Sequence, residues 1–327
     1  MGHLSADDVR WMGAALALGE RGRGRTQPNP NVGCVIVKGG RVIGRGWTQP
    51  GGRPHAEAMA LAEAGEAALG ATVYVTLEPC AHVSERGPAC ADLLAQAGVV
   101  RVVGAADDPD PRTAGRGFER LRAAGVAVTS GVREAEALAS FPGFVARQRL
   151  GRPHVTLKLA TSLDGCIALA DGSSRWITGE AARAHAHLER SRHEAILVGR
   201  ATWEMDRPKL DVRLEGLEDR SPMRIILSRH RRDEGSDESW LSSPDQIADL
   251  PCDQLLVEGG AQTAAAFLRA NLVDRLLLYR APILIGAGSP SVGDINLANL
   301  TEAHGRRSLM DARQLGSDRL EAYVRQR

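Results

Sequence analysis

The chain alternates short β-rich runs with helical stretches of about ten residues, and this alternation limits its fold more than any other feature. A helical stretch at residues 6–20 precedes two β-rich runs that are joined by Gly39-Gly40, a pair typical of a hairpin turn. Strands and helices then follow one another up to residue 129. The pattern predicts a layered α/β sheet with functional residues in the loops at the strand ends.

A second α/β series begins with a strand predicted at residues 154–159. A length of 327 residues also exceeds the roughly 100–200 residues of a usual domain. We therefore predict two domains, residues 1–148 and 149–327, with the boundary near 148–152.

Two local expectations accompany this division. The stretch Glu134–Leu150 has a helical pattern and is predicted as one helix. The segment Arg229–Ser243 is charged and rich in turn residues, so we predict a surface excursion with no core of its own.

Composition excludes several classes of protein. Lys and Arg number 41 against 40 Asp and Glu, a formal charge of +1 that disfavours non-specific binding to nucleic acid or an anionic membrane. No apolar run approaches the roughly 18 residues of a membrane span, and the N-terminus lacks the pattern of a signal peptide. We expect a cytoplasmic protein that acts on a small molecule.

The five cysteines are an odd number and do not suggest a disulfide framework. Cys80 and Cys90 are clustered, and with His55 they offer zinc three ligands and leave a fourth position for water, as in a catalytic site. Residues two apart in a straight helix point roughly 200° away from each other. His55 and Glu57 can therefore converge on one metal only where a helix starts. Glu57 would then be the general acid and base of a zinc deaminase. Two buried cysteines beside a capping histidine are the alternative.

The second half lacks a Gly-x-Gly-x-x-Gly motif, so an ordinary Rossmann site is unsupported. Gly259-Gly260 does lead from a predicted strand into a predicted helix, which suits either a phosphate site or a plain tight turn.

Three cationic side chains of the second half invite a functional interpretation. Arg190 and Arg213 can clamp a phosphate through paired hydrogen bonds, or they are exposed arginines of an Arg-rich chain. Lys158 lies between apolar residues of a strand, where its ammonium needs a partner or a ligand, unless it lies at a strand edge. Asp164 is its candidate neighbour, and we expect both residues to be catalytic.

These motifs together resemble the bifunctional riboflavin-biosynthesis enzyme, in which diaminohydroxyphosphoribosylaminopyrimidine deaminase is fused to 5-amino-6-(5-phosphoribosylamino)uracil reductase. The first-half motifs are Thr26-Gln-Pro-Asn-Pro-Asn-Val-Gly-Cys34, Pro54-His-Ala-Glu57, Tyr74-Val-Thr-Leu-Glu-Pro-Cys80, Asp107-Asp-Pro-Asp-Pro111 and Gly115-Arg-Gly117. The second-half motifs are Lys158 to Gly165, Ser174 to Thr178, Arg190, Val198 to Asp206, Leu210 with Arg213, and Val257 to Gly260. The resemblance implies a cytidine-deaminase-like three-layer α/β/α domain followed by a dihydrofolate-reductase-like α/β domain.

In the deaminase half, the resemblance implies His55, Cys80 and Cys90 as zinc ligands and Glu57 as the proton donor. Asn29 and His82 match positions near the pyrimidine. One departure from the family pattern is a segment between the two cysteines that is one residue longer, and this affects the loop Val83–Gly87.

In the reductase half, the resemblance implies NADPH as the cofactor. The cluster Arg229-His-Arg-Arg232 follows a strand and fits either the 2′-phosphate of this cofactor or, for most of its residues, solvated surface. Residues expected to bind it are Ala160, Trp176, Thr202, Asp206, Gly259, Gly260, Ala261, Gln262 and Thr263. Residues expected to bind the reductase substrate are Ser174, Arg190, Leu210, Arg213 and Glu258.

The resemblance therefore predicts a zinc-dependent deamination of a pyrimidine ribosyl phosphate, then a reduction of the product by NADPH, in a homo-oligomer. One alternative keeps the deaminase and gives up the reductase, because residues 214–253 are short and poorly matched. Another is a nucleic-acid editing deaminase, which the neutral charge and the wide cysteine spacing oppose. A zinc-stabilised binding protein is the alternative outside the enzymes.

Overall fold

A computed structural model of the protein describes residues 5–82, 85–229 and 239–326. The chain divides into two compact units, Met1–Gly151 and Arg152–Arg327, and each is described by itself. No helix in the part of the chain that the structure describes is long and apolar enough to span a membrane.

The first unit is built on a mixed five-stranded sheet. Its helices are α1 (Ala6–Gly19), α2 (Ala56–Ala64), α3 (Cys90–Gln96), α4 (Arg116–Ala123), α5 (Glu134–Ser140) and α6 (Pro142–Leu150), and its strands are β1 (Gly33–Lys38), β2 (Arg41–Trp47), β3 (Thr72–Leu77), β4 (Arg101–Ala106) and β5 (Ala127–Thr129). The strand order is β2-β1-β3-β4-β5, with β1 antiparallel to β2 and β3, and the pairs β3/β4 and β4/β5 parallel.

Helices cover both faces of this sheet, which confirms the three-layer arrangement. Helices α1 and α5 contact each other and the sheet, whereas α2, α3 and α4 form a second connected group. The β1–β2 turn has Gly39 and Gly40 at φ values of 56° and 72°, as the hairpin signal requires. The carboxyl end of β3 therefore opens between the starts of α2 and α3, where the deaminase residues were predicted.

The predicted helix over Glu134–Leu150 is wrong in one respect. The chain forms two helices, α5 and α6, that are separated at Phe141, whose φ and ψ of −127° and 53° are not helical. Pro142 causes this break because the ring of a proline disfavours helical backbone at the residue before it. Pro142 itself is tolerated because it is the first residue of α6.

The second unit is built on an eight-stranded sheet. Its strands are β6 (His154–Thr161), β7 (Cys166–Ala168), β8 (Ala195–Gly199), β9 (Met223–Leu227), β10 (Ser239–Leu241), β11 (Gln254–Val257), β12 (Arg275–Arg280), β13 (Ser289–Pro290), β14 (Arg307–Leu315) and β15 (Asp318–Arg325), and its helices are α7 (Glu180–Arg190), α8 (Arg200–Asp206) and α9 (Ala261–Arg269). The order is β10-β9-β8-β11-β6-β12-β15-β14, with β7 and β13 paired separately. All neighbours from β10 to β12 are parallel, so their carboxyl ends lie at one edge.

Alternation along β6 divides the side chains between the two faces of this sheet. Val155, Leu157 and Leu159 join the same apolar cluster as Phe267 of α9. Ala160 instead packs in the cluster that contains residues of α7. Lys158 lies on the α7 face by the same alternation, and this places its ammonium next to the end of β11.

Two parts of the second unit differ from the sequence prediction. The hairpin β14–β15 was not predicted, although Leu320 and Ala322 of β15 are fully buried. The segment Arg229–Ser243 was predicted to have no core, but its end forms β10, which pairs with β9 and buries Leu241. A three-residue strand is too short to give a periodic signal.

Candidate functional site

Three side chains of the first unit converge at the carboxyl end of β3. The Nδ1 atom of His55 lies 3.6 Å from Sγ of Cys80 and 3.4 Å from Sγ of Cys90. The three potential ligand atoms all lie within 4.8 Å of one another. Cys80 and Cys90 are buried, and His55 is half-buried. The structure therefore brings together the three residues that the sequence predicted as ligands.

This donor set fits zinc. Zinc bonds of about 2.3 Å to sulfur and 2.0–2.1 Å to nitrogen, at a tetrahedral angle, put sulfur and nitrogen about 3.6 Å apart. The two observed nitrogen to sulfur distances, 3.6 and 3.4 Å, agree with that spacing. One imidazole and two thiols also leave a fourth position for a reacting molecule.

Two helix starts create the convergence. His55 is the N-cap residue of α2, with extended backbone at φ −72° and ψ 162°, and Glu57 follows in the first turn. Cys90 is the first residue of α3, and its N–H donates to Sγ of Cys80 at 3.3 Å. The structure confirms that a helix starts at these two residues.

The electrostatics of the site follow from burial and from contact between the two thiols. Burial raises the pKa of Glu57 to about 7, against the opposing effects of the neighbouring His55 and Cys90 side chains. Hydrogen bonding from Cys90 lowers the pKa of Cys80 to about 4. Glu57 therefore lies against the metal-ligating cluster and away from solvent.

Asn29, predicted near the pyrimidine, lies beside this cluster, and His82, predicted there too, follows Cys80 by two residues. The side-chain amide of Asn29 lies 3.2 Å from Nε2 of His55 and donates to the carbonyl of Gly52 at 2.7 Å. Contact with the second ring nitrogen fixes the orientation of a metal-ligating histidine. Nδ1 of His82 lies 3.4 Å from the hydroxyl of Thr113.

Glu78 is a structural residue of the site that the sequence analysis did not single out. Its buried carboxylate accepts hydrogen bonds from four backbone N–H groups, those of Asp108 (3.2 Å), Gly115 (2.9 Å), Gly117 (2.8 Å) and Phe118 (3.2 Å). An anion at the start of α4 satisfies helix N–H groups that have no partner within the helix. The Glu-Pro-Cys sequence is the available signal, because it fixes this anchor two residues before Cys80.

We expect Glu78→Gln to destabilise the first unit by about 1–3 kcal/mol, because an amide offers one acceptor oxygen where the carboxylate offers two charged ones. Thermal unfolding of the full chain followed by calorimetry measures this change. Glu66→Gln, in an exposed position, is the control and should leave the transition unchanged. Equal melting of the wild type and Glu78→Gln would contradict the anchoring role.

The second unit has a cavity of about 840 Å³ on the α7 side of its sheet. Lys158, Arg190 and Glu258 meet there. Arg190 donates from Nε and Nη2 to the two oxygens of Glu258 at 2.8 and 3.0 Å, and Nζ of Lys158 lies 3.7 Å from the same carboxylate. Nζ of Lys158 also lies 5.8 Å from the ring centre of Tyr279.

Burial and two neighbouring cations have opposite effects on the charge of Glu258. Burial alone raises the pKa of this carboxyl, but Lys158 and Arg190 outweigh burial and lower the pKa to about 2. Glu258 is therefore ionised at neutral pH. Glu258 is therefore the partner that the ammonium of Lys158 requires. Because one negative charge on Glu258 faces the two positive charges of Lys158 and Arg190, this group of three side chains has a net positive charge.

The structure does not place Asp164 beside Lys158. Its carboxylate accepts from the hydroxyl of Ser162 at 2.5 Å and from the N–H of Gly286 at 2.7 Å. These contacts lower the pKa of Asp164 to about 2. Asp164 also does not belong to the described lining of either cavity of this unit. Its contacts tie the start of β7 to the loop after β12.

A second cavity, of about 880 Å³, opens at the carboxyl ends of β8, β9, β10 and β11. Five of the residues predicted to bind the cofactor line it, namely Thr202, Gly260, Ala261, Gln262 and Thr263. A Cβ on Gly259 would lie 2.5 Å from Cβ of Thr263, so only glycine lets α9 begin this close to the sheet. Ile167 lines both cavities, which therefore adjoin.

Three predicted cofactor residues lie on the first cavity instead. Ala160, Trp176 and Asp206 belong to the lining of the 840 Å³ cavity. The predicted substrate residues Ser174, Leu210 and Arg213 line the same cavity. All six residues, predicted for the cofactor or for the substrate, therefore border one cavity. Residues 230–232 of the arginine cluster and residues 83–84 of the Val83–Gly87 loop lie outside the described residues.

Comparison with known proteins identifies the family. Residues 5–106 match the model of the cytidine and deoxycytidylate deaminase zinc-binding region, and residues 153–318 match the model of the RibD C-terminal domain. The chain is 40% identical to riboflavin biosynthesis protein RibD of Escherichia coli strain K12, over 86% of this chain and 89% of that protein. The chain belongs to the RibD family. RibD of Mycobacterium tuberculosis strain H37Rv is 42% identical over 89% of this chain and 90% of its own length.

Solved structures agree over the whole length. RibD of Acinetobacter baumannii, form 1, has a TM-score of 0.89 at 36% identity and covers 98% of this chain and 99% of its own. A diaminohydroxyphosphoribosylaminopyrimidine deaminase/5-amino-6-(5-phosphoribosylamino)uracil reductase of Thermotoga maritima has a TM-score of 0.86 at 31% identity, with coverage of 98% and 99%.

This RibD protein is a bifunctional enzyme of riboflavin biosynthesis with a zinc-binding deaminase domain and a reductase domain that uses NADPH. The RibD C-terminal match spans residues 214–253, so the deaminase-only alternative loses its basis. Family membership also argues against the nucleic-acid editing deaminase and the non-enzymatic binding protein.

Proposed function

We propose that the first unit removes the ring amine of 2,5-diamino-6-ribosylamino-4(3H)-pyrimidinone 5′-phosphate and that the second reduces 5-amino-6-(5-phosphoribosylamino)uracil to its ribitylamino form. The Thermotoga maritima relative, which is similar over the whole chain, is named for these two activities. Deamination is placed first because the reductase substrate is a uracil, the product of hydrolysis.

For deamination, the proposed ligands are His55, Cys80 and Cys90. Zinc held by these residues would lower the pKa of water, so that hydroxide would be available near neutral pH. Glu57 takes a proton from the attacking water and passes it to the leaving nitrogen. A C–O bond forms at the ring carbon, the C–N bond breaks, and ammonia departs. Asn29, which contacts His55, and His82, two residues after Cys80, are proposed to contact the pyrimidine.

For reduction, Thr202 and the turn from Gly260 to Thr263 would hold NADPH in the 880 Å³ cavity, and the bound cofactor would supply the hydride that the ribose C1′ needs. The C1′–H bond forms as the C1′–O4′ bond breaks, so O4′ must gain a proton. We assign that proton to Lys158, whose ammonium lines the substrate cavity. Arg190 and Arg213 bind substrate phosphate or hydroxyl groups there. A catalytic role for Asp164 stays a prediction, since its observed contacts are with the loop around Gly286.

The observation that carries the reductase assignment is the shared wall at Ile167. Hydride transfer requires the donor and acceptor carbons to be in contact. Two adjoining cavities, one at the start of α9 and one around Lys158, provide this arrangement within a single unit. For the deaminase, the corresponding observation is the convergence of three ligand atoms beside buried Glu57.

We further propose that the enzyme is homo-oligomeric and cytoplasmic. Large apolar side chains are exposed on the second unit, among them Leu284 (75%) and Leu300 (80%), and a second copy of the chain could cover them. All five cysteines are free thiols, which suits a reducing compartment. Light scattering of the purified chain and cell fractionation test these two points.

We expect a zinc chelator to abolish ammonia release and to leave NADPH oxidation with authentic 5-amino-6-(5-phosphoribosylamino)uracil unchanged. The two sets of residues lie in separate units, so each activity depends on its own site. Adding zinc back should restore deamination. Chelation that stops both activities in a folded protein, or neither, would contradict the assignment.

A further inference from the structure

Lys158 has a neighbour on each of the two strands that flank β6. Its Nζ atom lies 3.7 Å from the carboxylate of Glu258, just after β11, and 5.8 Å from the ring centre of Tyr279 on β12. We propose that Tyr279, held in place by His185, positions the ammonium of Lys158 to donate its proton to O4′ of the reductase substrate. The inference rests on the proposed role of Lys158 as proton donor and adds the residues that direct it.

The contact with Glu258 does not by itself fix the direction of the ammonium. A separation of 3.7 Å is longer than the 2.7–3.2 Å of a hydrogen bond. Both oxygens of Glu258 already accept from Arg190, at 2.8 and 3.0 Å. A lysine side chain is also long and flexible, so holding its end in one place requires a further contact.

Sheet register puts the ring of Tyr279 on the same face as Lys158. Strands β6 and β12 are parallel neighbours in which Lys158 pairs with Leu277 and Ala160 pairs with Tyr279. Residues two apart on a strand share a face. Tyr279 is only 1% exposed and packs in one apolar cluster with residues of α7, so its ring is confined. An aromatic face attracts an ammonium within about 6 Å of its centre.

His185 holds the hydroxyl end of this tyrosine. Its Nδ1 atom lies 2.8 Å from the hydroxyl of Tyr279, a hydrogen bond between α7 and β12. Ala182 and Ala186 of α7 pack in the cluster that contains Tyr279, and their small side chains let the helix approach the sheet. A buried hydroxyl is costly without a partner, whereas a phenylalanine would fill this space at no such cost. The hydroxyl and the imidazole together fix the orientation of the ring.

Both members of the Tyr279–His185 pair are uncharged at neutral pH. Burial, with Glu189 and Glu258 nearby, raises the pKa of Tyr279 well above its usual range. Burial also lowers the pKa of His185. A charged imidazole would repel the ammonium of Lys158, and a tyrosinate would compete with Glu258 for it. A neutral aromatic face attracts the ammonium without taking its proton.

Tyr279 acts through Lys158 and not on the substrate. It does not belong to the described lining of either cavity of this unit, whereas Lys158 lines the 840 Å³ cavity. Loss of the tyrosine ring should therefore affect proton transfer more than substrate binding. In kinetic terms, kcat should fall while KM stays the same.

Steady-state kinetics with authentic 5-amino-6-(5-phosphoribosylamino)uracil test the proposal. We expect Tyr279→Leu to lower kcat of the reductase about 10-fold to 100-fold and to change KM less than about twofold. Tyr279→Phe keeps the aromatic face and should lower kcat only about 3-fold to 10-fold. Ammonia release by the first unit should stay at the wild-type rate in both variants.

Phe267→Leu is the matched control for loss of a buried ring. Phe267 is fully buried in the same unit, but it packs on the opposite face of β6. This variant should lose stability in thermal unfolding and keep the wild-type kcat at permissive temperature. Wild-type kcat in Tyr279→Leu, or an equal loss of kcat in Phe267→Leu, would overturn the proposal.

Two milder variants test the pair even if Tyr279→Leu does not fold. His185→Ala should lower kcat about as much as Tyr279→Phe, because each removes the same hydrogen bond. The double variant should lose no more than either single one. Losses that multiply, or wild-type kcat in both single variants, would show that the hydrogen bond does not position Lys158.

Lys158→Met separates this inference from the proposed function. A wild-type rate of reduction in Lys158→Met would overturn the role of Lys158 as proton donor. A large loss in Lys158→Met, together with wild-type kcat in the variants of Tyr279 and His185, would overturn the positioning role alone. In that case Glu258 would suffice to direct the ammonium.

Discussion

Replacing Glu57 by glutamine is expected to lower the rate of deamination by roughly 10²- to 10⁴-fold, the usual contribution of a positioned general acid and base. Glutamine has nearly the same shape, but it can neither take a proton from water nor deliver one to the leaving nitrogen. Because Glu57 is not one of the three converging ligands, zinc content should stay at that of the wild type. Ammonia release and metal analysis on the same sample measure both effects.

Glu63→Gln is the matched control for this substitution. Glu63 lies on the same helix, α2, but is exposed and pairs with Arg45 at 2.7 Å. Surface ion pairs contribute little, so the rates of this variant should equal those of the wild type. NADPH oxidation should be unchanged in both variants. A wild-type rate of deamination in Glu57→Gln would contradict the catalytic role of this residue. Loss of zinc from this variant would show instead that Glu57 helps to hold the metal.

Replacing Glu258 by glutamine is expected to lower kcat/KM of the reductase by roughly 30-fold to 1000-fold, which corresponds to the 2–4 kcal/mol lost when one partner of a buried charged pair is removed. Glu258 compensates both Lys158 and Arg190. Without its charge, the two cations repel each other and leave the positions from which they contact substrate. NADPH consumption with authentic deaminated substrate gives the rate, and deamination reports correct folding of the chain.

Glu321→Gln provides the comparison within the same unit. Glu321 is also buried and paired, with Arg280 at 2.7 Å and Arg319 at 3.0 Å, but it lines neither cavity. We expect this variant to lose stability and to retain reductase activity at permissive temperature. If Glu258→Gln and Glu321→Gln lose reductase activity to the same extent at equal stability, Glu258 has only a structural role.

Local sequence determined most of the elements and the deaminase chemistry. The helix starts at His55 and Cys90 follow from short-range signals, including Pro54, and they bring the metal ligands together once β3 connects them. The division of the chain at residue 151 lies where the second α/β series begins. These features depend on residues that are near one another in the chain, so periodicity and motif spacing are sufficient to find them.

Only the tertiary structure decided what the charged side chains contact. Asp164 is six residues from Lys158 in sequence, yet Lys158 pairs with Glu258, which is 100 residues away and adjacent because β6 and β11 are neighbours. Glu78 became an anchor because α4 begins at the end of β3. Such contacts depend on sheet order, which long-range packing sets and a local pattern does not encode.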